Sequence, residues 1–83
     1  MPPPWRIAWS FAAKAGLRAI PWQDASDVDA AVMRFASMEG GTFVRHRHDP
    51  NTVYLLVPGY KVRLLVEDAE GLITVVYVWR RDA

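Results

Sequence analysis

Three closely spaced runs near the end of the chain restrict the fold more than anything else in the sequence. They are Thr52-Val-Tyr-Leu-Leu-Val57, Tyr60-Lys-Val-Arg-Leu-Leu-Val66 and Leu72-Ile-Thr-Val-Val-Tyr-Val-Trp79. Each is dense in β-branched and aromatic residues, and Pro58-Gly59 and Glu67-Asp-Ala-Glu-Gly71 punctuate them. Such runs predict strands joined by tight turns, hence a three-stranded antiparallel meander.

Successive side chains of a strand point to opposite faces, so the turns assign the faces by parity. Placing Val57 opposite Tyr60 and Val66 opposite Leu72 gathers Val53, Leu55, Val57, Tyr60, Val62, Leu64, Val66, Leu72, Thr74, Val76 and Val78 on one side. That nearly apolar face is the expected seat of the helices. The other side collects Thr52, Tyr54, Leu56, Lys61, Arg63, Leu65, Ile73, Val75, Tyr77, Trp79 and Arg81, with no acid among them. A turn one residue shorter would exchange Arg81 for Arg80 there and move the last strand to the opposite side. Cations mixed with aromatics suit a surface that holds a phosphate backbone while stacking bases, or one that a protein partner covers.

Upstream, Trp5, Ile7 and Trp9 alternate with Arg6 and Ala8, a short half-buried strand. Ser10 then caps a helix over Phe11–Ile20 that Pro21 ends, with Ala13, Leu17 and Ile20 as its buried stripe and Lys14 and Arg18 in water. A second helix starts at Asp24 or Ser26, buries Val28, Ala31, Val32 and Phe35, and stops at Gly40-Gly41. The short link around Pro21 makes the two helices an αα-hairpin. Thr42–His48 is a further strand candidate, followed by an Asp49-Pro50-Asn51 turn. The order β-α-α-β-β-β-β predicts an α+β domain with both helices on one face of an antiparallel sheet.

Eighty-three residues make one domain, 1–83, with Pro2–Pro4 excluding a helix at the start and residues 1–4 expected to be disordered. A chain this short buries only roughly 60–65% of its unfolded surface. Its 52% hydrophobic content nevertheless supplies a packed core. The absence of cysteine excludes disulfides and thiolate chemistry and fits a cytoplasmic protein. No stretch resembles a signal peptide or a membrane span. The net charge of +1 conceals a segregation: Arg45, Arg47, Lys61 and Arg63 face only Asp49 between Thr42 and Val66, and Arg80 and Arg81 join them from the chain end. Such a patch suits a polyanion or an ordinary solvated surface. No nucleotide-binding loop is present, no serine triad can be assembled, and neither a metal nor a cofactor is expected. Arg45-His-Arg-His48 places both histidines on one side of its strand, where an imidazole is a candidate acid or base.

Gly59-Tyr-Lys-Val-Arg-Leu-Leu-Val-Glu-Asp68, an acidic turn, and Thr74-Val-Val-Tyr-Val-Trp-Arg-Arg-Asp82, preceded by a strand and two helices, resemble the RelE/ParE superfamily of toxins from type II toxin–antitoxin pairs. The resemblance implies a compact α+β toxin, free as a monomer or weak dimer, that a cognate antitoxin wraps. RelE-type members cleave messenger RNA on the ribosome, whereas ParE-type members poison DNA gyrase. By position, Lys61 takes the place of the mid-strand arginine that contacts the scissile phosphate in RNA-cleaving members, and Arg81 that of the arginine near the end of the last strand. Arg63, Tyr54, Tyr77, Trp79, Arg80, Arg45 and Arg47 are then candidates for holding substrate, and His46 and His48 for proton transfer. Two departures stand out: Thr52 and Tyr54 occupy places where those members carry lysines, and no tyrosine follows the final arginine. The resemblance thus leans to an endoribonuclease lacking the usual tail base. A degenerate binding module of the same fold, or an unrelated small RNA- or protein-binding domain, is the alternative.

Overall fold

The computed structural model describes residues 5–81; the expectation for residues 1–4 lies outside them. Strand β1 (Arg6–Trp9) leads into helices α1 (Phe11–Arg18) and α2 (Trp22–Ala36). Strands β2 (Thr42–Arg45), β3 (Thr52–Val57), β4 (Tyr60–Glu67) and β5 (Leu72–Arg80) follow, with a single 3₁₀ turn, Asp68–Glu70, between the last two. The sheet order is β1-β5-β4-β3-β2, and α1 and α2 pack against it. The predicted meander is therefore present. The all-antiparallel sheet is not, because β1 pairs in parallel with β5, Arg6 opposite Leu72 through Trp9 opposite Val75. The helical hairpin acts as a crossover that returns the chain along the far edge.

Burial follows the pleat. Val53, Leu55, Val57, Tyr60, Val62 and Leu64 are buried on the helix side against Ala13, Val28, Ala31 and Val32. Leu17, Ile20 and Phe35 pack around this core half-buried, which matches the predicted stripes. Trp5 and Trp9 pack there too, whereas Trp22 is 75% exposed. Helix α1 ends at Arg18, short of the expected Ile20. Helix α2 starts at Trp22 after Pro21, earlier than the expected Asp24 or Ser26, and the Asp24 carboxylate in its first turn accepts from the Tyr60 hydroxyl at 2.5 Å. Gly16, a weak helix former, lies where a Cβ would come within 3.4 Å of Val78, so α1 can press closely on β5.

The register of the last hairpin departs from expectation and then recovers. Val57 does oppose Tyr60, and Gly59 turns the chain at φ +84°. At the next turn Glu67 opposes Leu72 and Val66 opposes Ile73, one residue tighter than predicted. Ile73 and Val75 consequently lie in the core rather than on the cation face. Between Leu64–Val75 and Arg63–Tyr77 the pairing skips Val76, a one-residue bulge that reverses the parity. Beyond it Val78 is buried while Tyr77 and Trp79 emerge on the predicted outer face.

Ser10 holds this bulge in place. Its hydroxyl donates to the Val76 carbonyl at 2.7 Å and accepts from the Ala13 amide at 3.0 Å, capping α1. Its own amide bonds to the Val75 carbonyl at 2.9 Å. Ser10→Ala removes the cap and strands a carbonyl, and should destabilise the fold by about 1–3 kcal/mol. Ser10→Thr should keep most of that stability, as measured by urea unfolding.

Candidate cation–aromatic sheet face

The side of the sheet away from the helices brings together six of the residues singled out from sequence. Strand β4 supplies Lys61 and Arg63 two residues apart, and both are half-buried. Tyr54 of β3 and Tyr77 of β5 flank Arg63, and Leu56 and Trp79 flank Lys61. The Lys61 ammonium sits 4.5 Å from the Tyr54 ring centroid and 5.8 Å from that of Trp79. The negative faces of the two rings hold that charge in place. Trp79 lies 4.8 Å from Tyr77 and reaches across β4 to within 6.3 Å of Tyr54, centroid to centroid.

His46 extends the group. Strand β2 ends at Arg45, short of the expected His48, but the His46 amide still bonds to the Thr52 carbonyl. Its ring lies 6.0 Å from Tyr54 and 6.2 Å from His48. The His48 amide donates to His46 Nδ1 at 3.1 Å. A neutral imidazole held this way carries its hydrogen on Nε2, so it presents a donor; taking up a proton would break that bond.

The other candidates stand apart. Arg45 opposes Val53, which places it on the helix side, and its guanidinium donates to the Pro50 carbonyl at 3.3 Å. Arg80 opposes Tyr60, again on the helix side. Arg47 is exposed in the bend after β2. Arg81 follows the end of β5 with its amide bonded to the Gly59 carbonyl, two residues beyond Trp79 and on that residue's parity.

One acid not assigned to this face by the strand pattern reaches its margin. Asp49 accepts from the Thr52 hydroxyl at 2.7 Å and from the Asn51 amide at 3.0 Å. These two bonds, in that order, hold its carboxyl below the usual range, with lesser help from the charges of His46 and Arg63. The Asp-Pro-Asn turn signature signalled the loop, but its approach to His46 and Arg63 depends on how the loop folds back. Tyr60 is displaced the other way: its bond to Asp24 raises the phenol above its ordinary value, followed by burial.

A cavity of about 310 Å³ lies on the opposite side, lined by Trp5, Phe35, Met38, Phe43 and Ile73 among others. Among the described residues no cluster of three metal-ligating side chains occurs, and no helix is long and apolar enough to cross a membrane.

No protein-family model matches the sequence, and no curated protein does. Solved structures do. A chain of the Methanococcus jannaschii RelB–RelE antitoxin–toxin complex superposes with a TM-score of 0.72 at 12% identity, covering 89% of each chain. A chain of the Pseudomonas aeruginosa chromosomal ParDE toxin–antitoxin system gives 0.72 at 16%, over 95% of this chain and 98% of that one. A chain of the Mycobacterium tuberculosis RelBE2 toxin–antitoxin complex gives 0.67 at 19%, over 94% and 99%. The chain has the RelE/ParE toxin fold. RelE- and ParE-type structures both match, so the fold alone does not distinguish between them.

The lowered Asp49 carboxyl has a sign that can be checked. Its stabilising contribution is complete above the ordinary aspartate value near 3.8 and is lost as pH falls through the depressed folded value. Thr52→Val removes the largest cause. Carboxyl-detected NMR should then show Asp49 titrating closer to an unperturbed aspartate.

Proposed function

We propose that this protein is the toxin of a toxin–antitoxin pair and that its cation–aromatic face acts on messenger RNA at the ribosome, in the cytoplasm. The observation that carries the reading is the placement of Lys61 and Arg63 side by side on β4, walled by Tyr54, Tyr77 and Trp79, in a RelE/ParE fold. The supporting likeness to chains solved in antitoxin complexes makes a cognate antitoxin the expected partner.

In the proposed reaction the ribose 2′-oxygen attacks the adjacent phosphorus while the bond from phosphorus to the 5′-oxygen breaks. The products are a cyclic phosphate and a free 5′-hydroxyl. The transition state concentrates negative charge on the phosphoryl oxygens, and Lys61 and Arg81 are assigned to stabilise it. Arg63 holds a neighbouring phosphate. The attacking hydroxyl must lose a proton and the leaving oxygen gain one. His46 is the side chain on this face closest to that role, and using it requires release of the His48 amide from Nδ1.

A second reading keeps the fold and changes the target. The ParDE chain superposes as well as the RelE chain, and Lys61 is already engaged by two rings. A toxin that binds DNA gyrase through this face needs no proton-transfer groups.

Induced expression should arrest growth, and co-expression of a neighbouring antitoxin gene should relieve the arrest. Primer extension should find breaks within translated codons that disappear in the Lys61→Ala, Arg81→Ala double variant. Loss of one phosphate-stabilising charge typically slows such chemistry by about 10²–10³-fold. Arrest with intact messenger RNA and broken chromosomal DNA would replace this reading with the gyrase one.

A further inference from the structure

Strand β2 forms one edge of the sheet: among the described residues it is paired with β3 alone. The pairing runs without a bulge, and every residue of the strand is exposed, Phe43 at 42% and Val44 at 55%. An open row of N–H and C=O groups recruits another strand, so natural edges are blunted by lysine, proline, a bulge or a covering segment. Strand β2 uses none of these. Its one charge, Arg45, opposes Val53 and so lies on the helix side.

The ladder fixes which backbone groups are open. The His46 amide bonds to the Thr52 carbonyl, so the even-numbered residues of β2 turn their backbone groups towards β3. Phe43 and Arg45 therefore turn theirs to the free edge. Their side chains project on the helix side, where Phe43 meets Phe35 edge-on with centroids 5.2 Å apart. Val44 projects on the outer face, opposite Tyr54.

We infer that this edge joins a second copy of the chain, β2 antiparallel to β2, about a twofold axis at Val44. Open groups must meet open groups, and a pairing held within the strand can centre on Phe43, Val44 or Arg45. Centring on Arg45 opposes two like charges. Centring on Phe43 sets Arg45 against Gly41, which lies outside the strand. Centring on Val44 pairs Phe43 with Arg45 of the second copy on both sides of the axis, each pair exchanging both of its N–H···O bonds. Val44 then meets its own counterpart in the closer, non-hydrogen-bonded position, as an apolar pair. On the helix side each Arg45 guanidinium comes beside the Phe43 ring of the other copy, a cation–π pairing made twice. Gly41 stands opposite Arg47 of the second copy, so no side chain there obstructs the continuing chains. Thr-Phe-Val-Arg is self-complementary in this register, which selects a second copy as the occupant. With the axis perpendicular to the sheet, the two cation–aromatic faces become one surface and the helices stay on the other. So short a contact belongs with the weak interfaces that bury less than ~1,200 Å².

The inference requires neither RNA nor an antitoxin, so it stands or falls apart from the proposed function. The purified full chain is followed by sedimentation equilibrium from about 10 µM to about 1 mM, the span of weak complexes. Its mass should rise with concentration from that of one 9.4 kDa chain towards two. Val44→Lys sets two ammonium groups against each other at the axis, and its mass should stay at one chain throughout. Because Val44 is exposed, the urea midpoint of that variant should match the parent at low concentration. Val44→Cys supplies the only thiol of a chain without cysteine. Cysteines opposed at a non-hydrogen-bonded position have disulfide-compatible spacing. Diamide should therefore link Val44→Cys faster than Ala8→Cys, an exposed position on the opposite edge of the sheet. Should Val44→Lys not fold, the comparison of the two cysteine variants decides alone. A mass fixed at one chain up to the highest concentration overturns the inference and leaves the edge to a strand of another protein. Dimerisation that survives in folded Val44→Lys overturns it by placing the contact on a different surface, as does linkage of Val44→Cys no faster than that of Ala8→Cys.

Discussion

The arrangement depends on what the Ser10 hydroxyl does at the bulge. A strand has a side-chain period of two, so one unpaired residue transfers everything beyond it to the other face. Val76 is that residue, and its carbonyl, left out of the ladder, accepts from Ser10 instead. The same oxygen caps α1, so the start of the helix and the change of face are fixed by one atom. Without the change, Val78 would point to water and Tyr77 and Trp79 would be forced against α1. The hydrophobic core and the aromatic surface thus share a single point of control.

That control explains what could and could not be read from the chain. The strands, the helical stripes around Val28 and Ala13 and the Ser10 cap follow from local periodicity and capping chemistry, and they appear as read. The outer positions of Lys61, Arg63, Tyr54, Tyr77 and Trp79 were also legible, although for Tyr77 and Trp79 two departures offset each other. The 3₁₀ turn shortened the hairpin by one residue, and the bulge restored the parity. Neither leaves a pattern in the sequence, because valines on both faces fit either register. Long-range pairings were hidden for a related reason. The parallel seat of β1, and the bond from Tyr60 to Asp24, join residues far apart in the chain. Arg45 and Arg80 show the limit of charge counting: each lies close in sequence to the outer cations but faces the helices.

The outer face combines two demands that ordinarily conflict. Large rings left in water weaken solubility, and cations set close together repel one another. Interleaving them eases both: a ring's negative face accommodates the Lys61 ammonium, and the ammonium keeps the rings wet at their edges. A flat surface built this way lacks the enclosure of a small-molecule site.

The parallel pairing of β1 with β5 also bears on when the molecule can come into existence. Residues 6–9 hydrogen-bond with residues 72–75, and the Ser10–Val76 bond spans 66 positions. Contacts of that separation make folding slow and tie it to completion of the chain. During synthesis, which proceeds from the N-terminus, β1 and α1 leave the ribosome long before the strand they need has been made. The fold therefore depends on its last strand before its first can be seated. A chain interrupted before β5 would lack Tyr77 and Trp79, the partner strand of both β1 and β4, and the Val76 carbonyl that Ser10 holds.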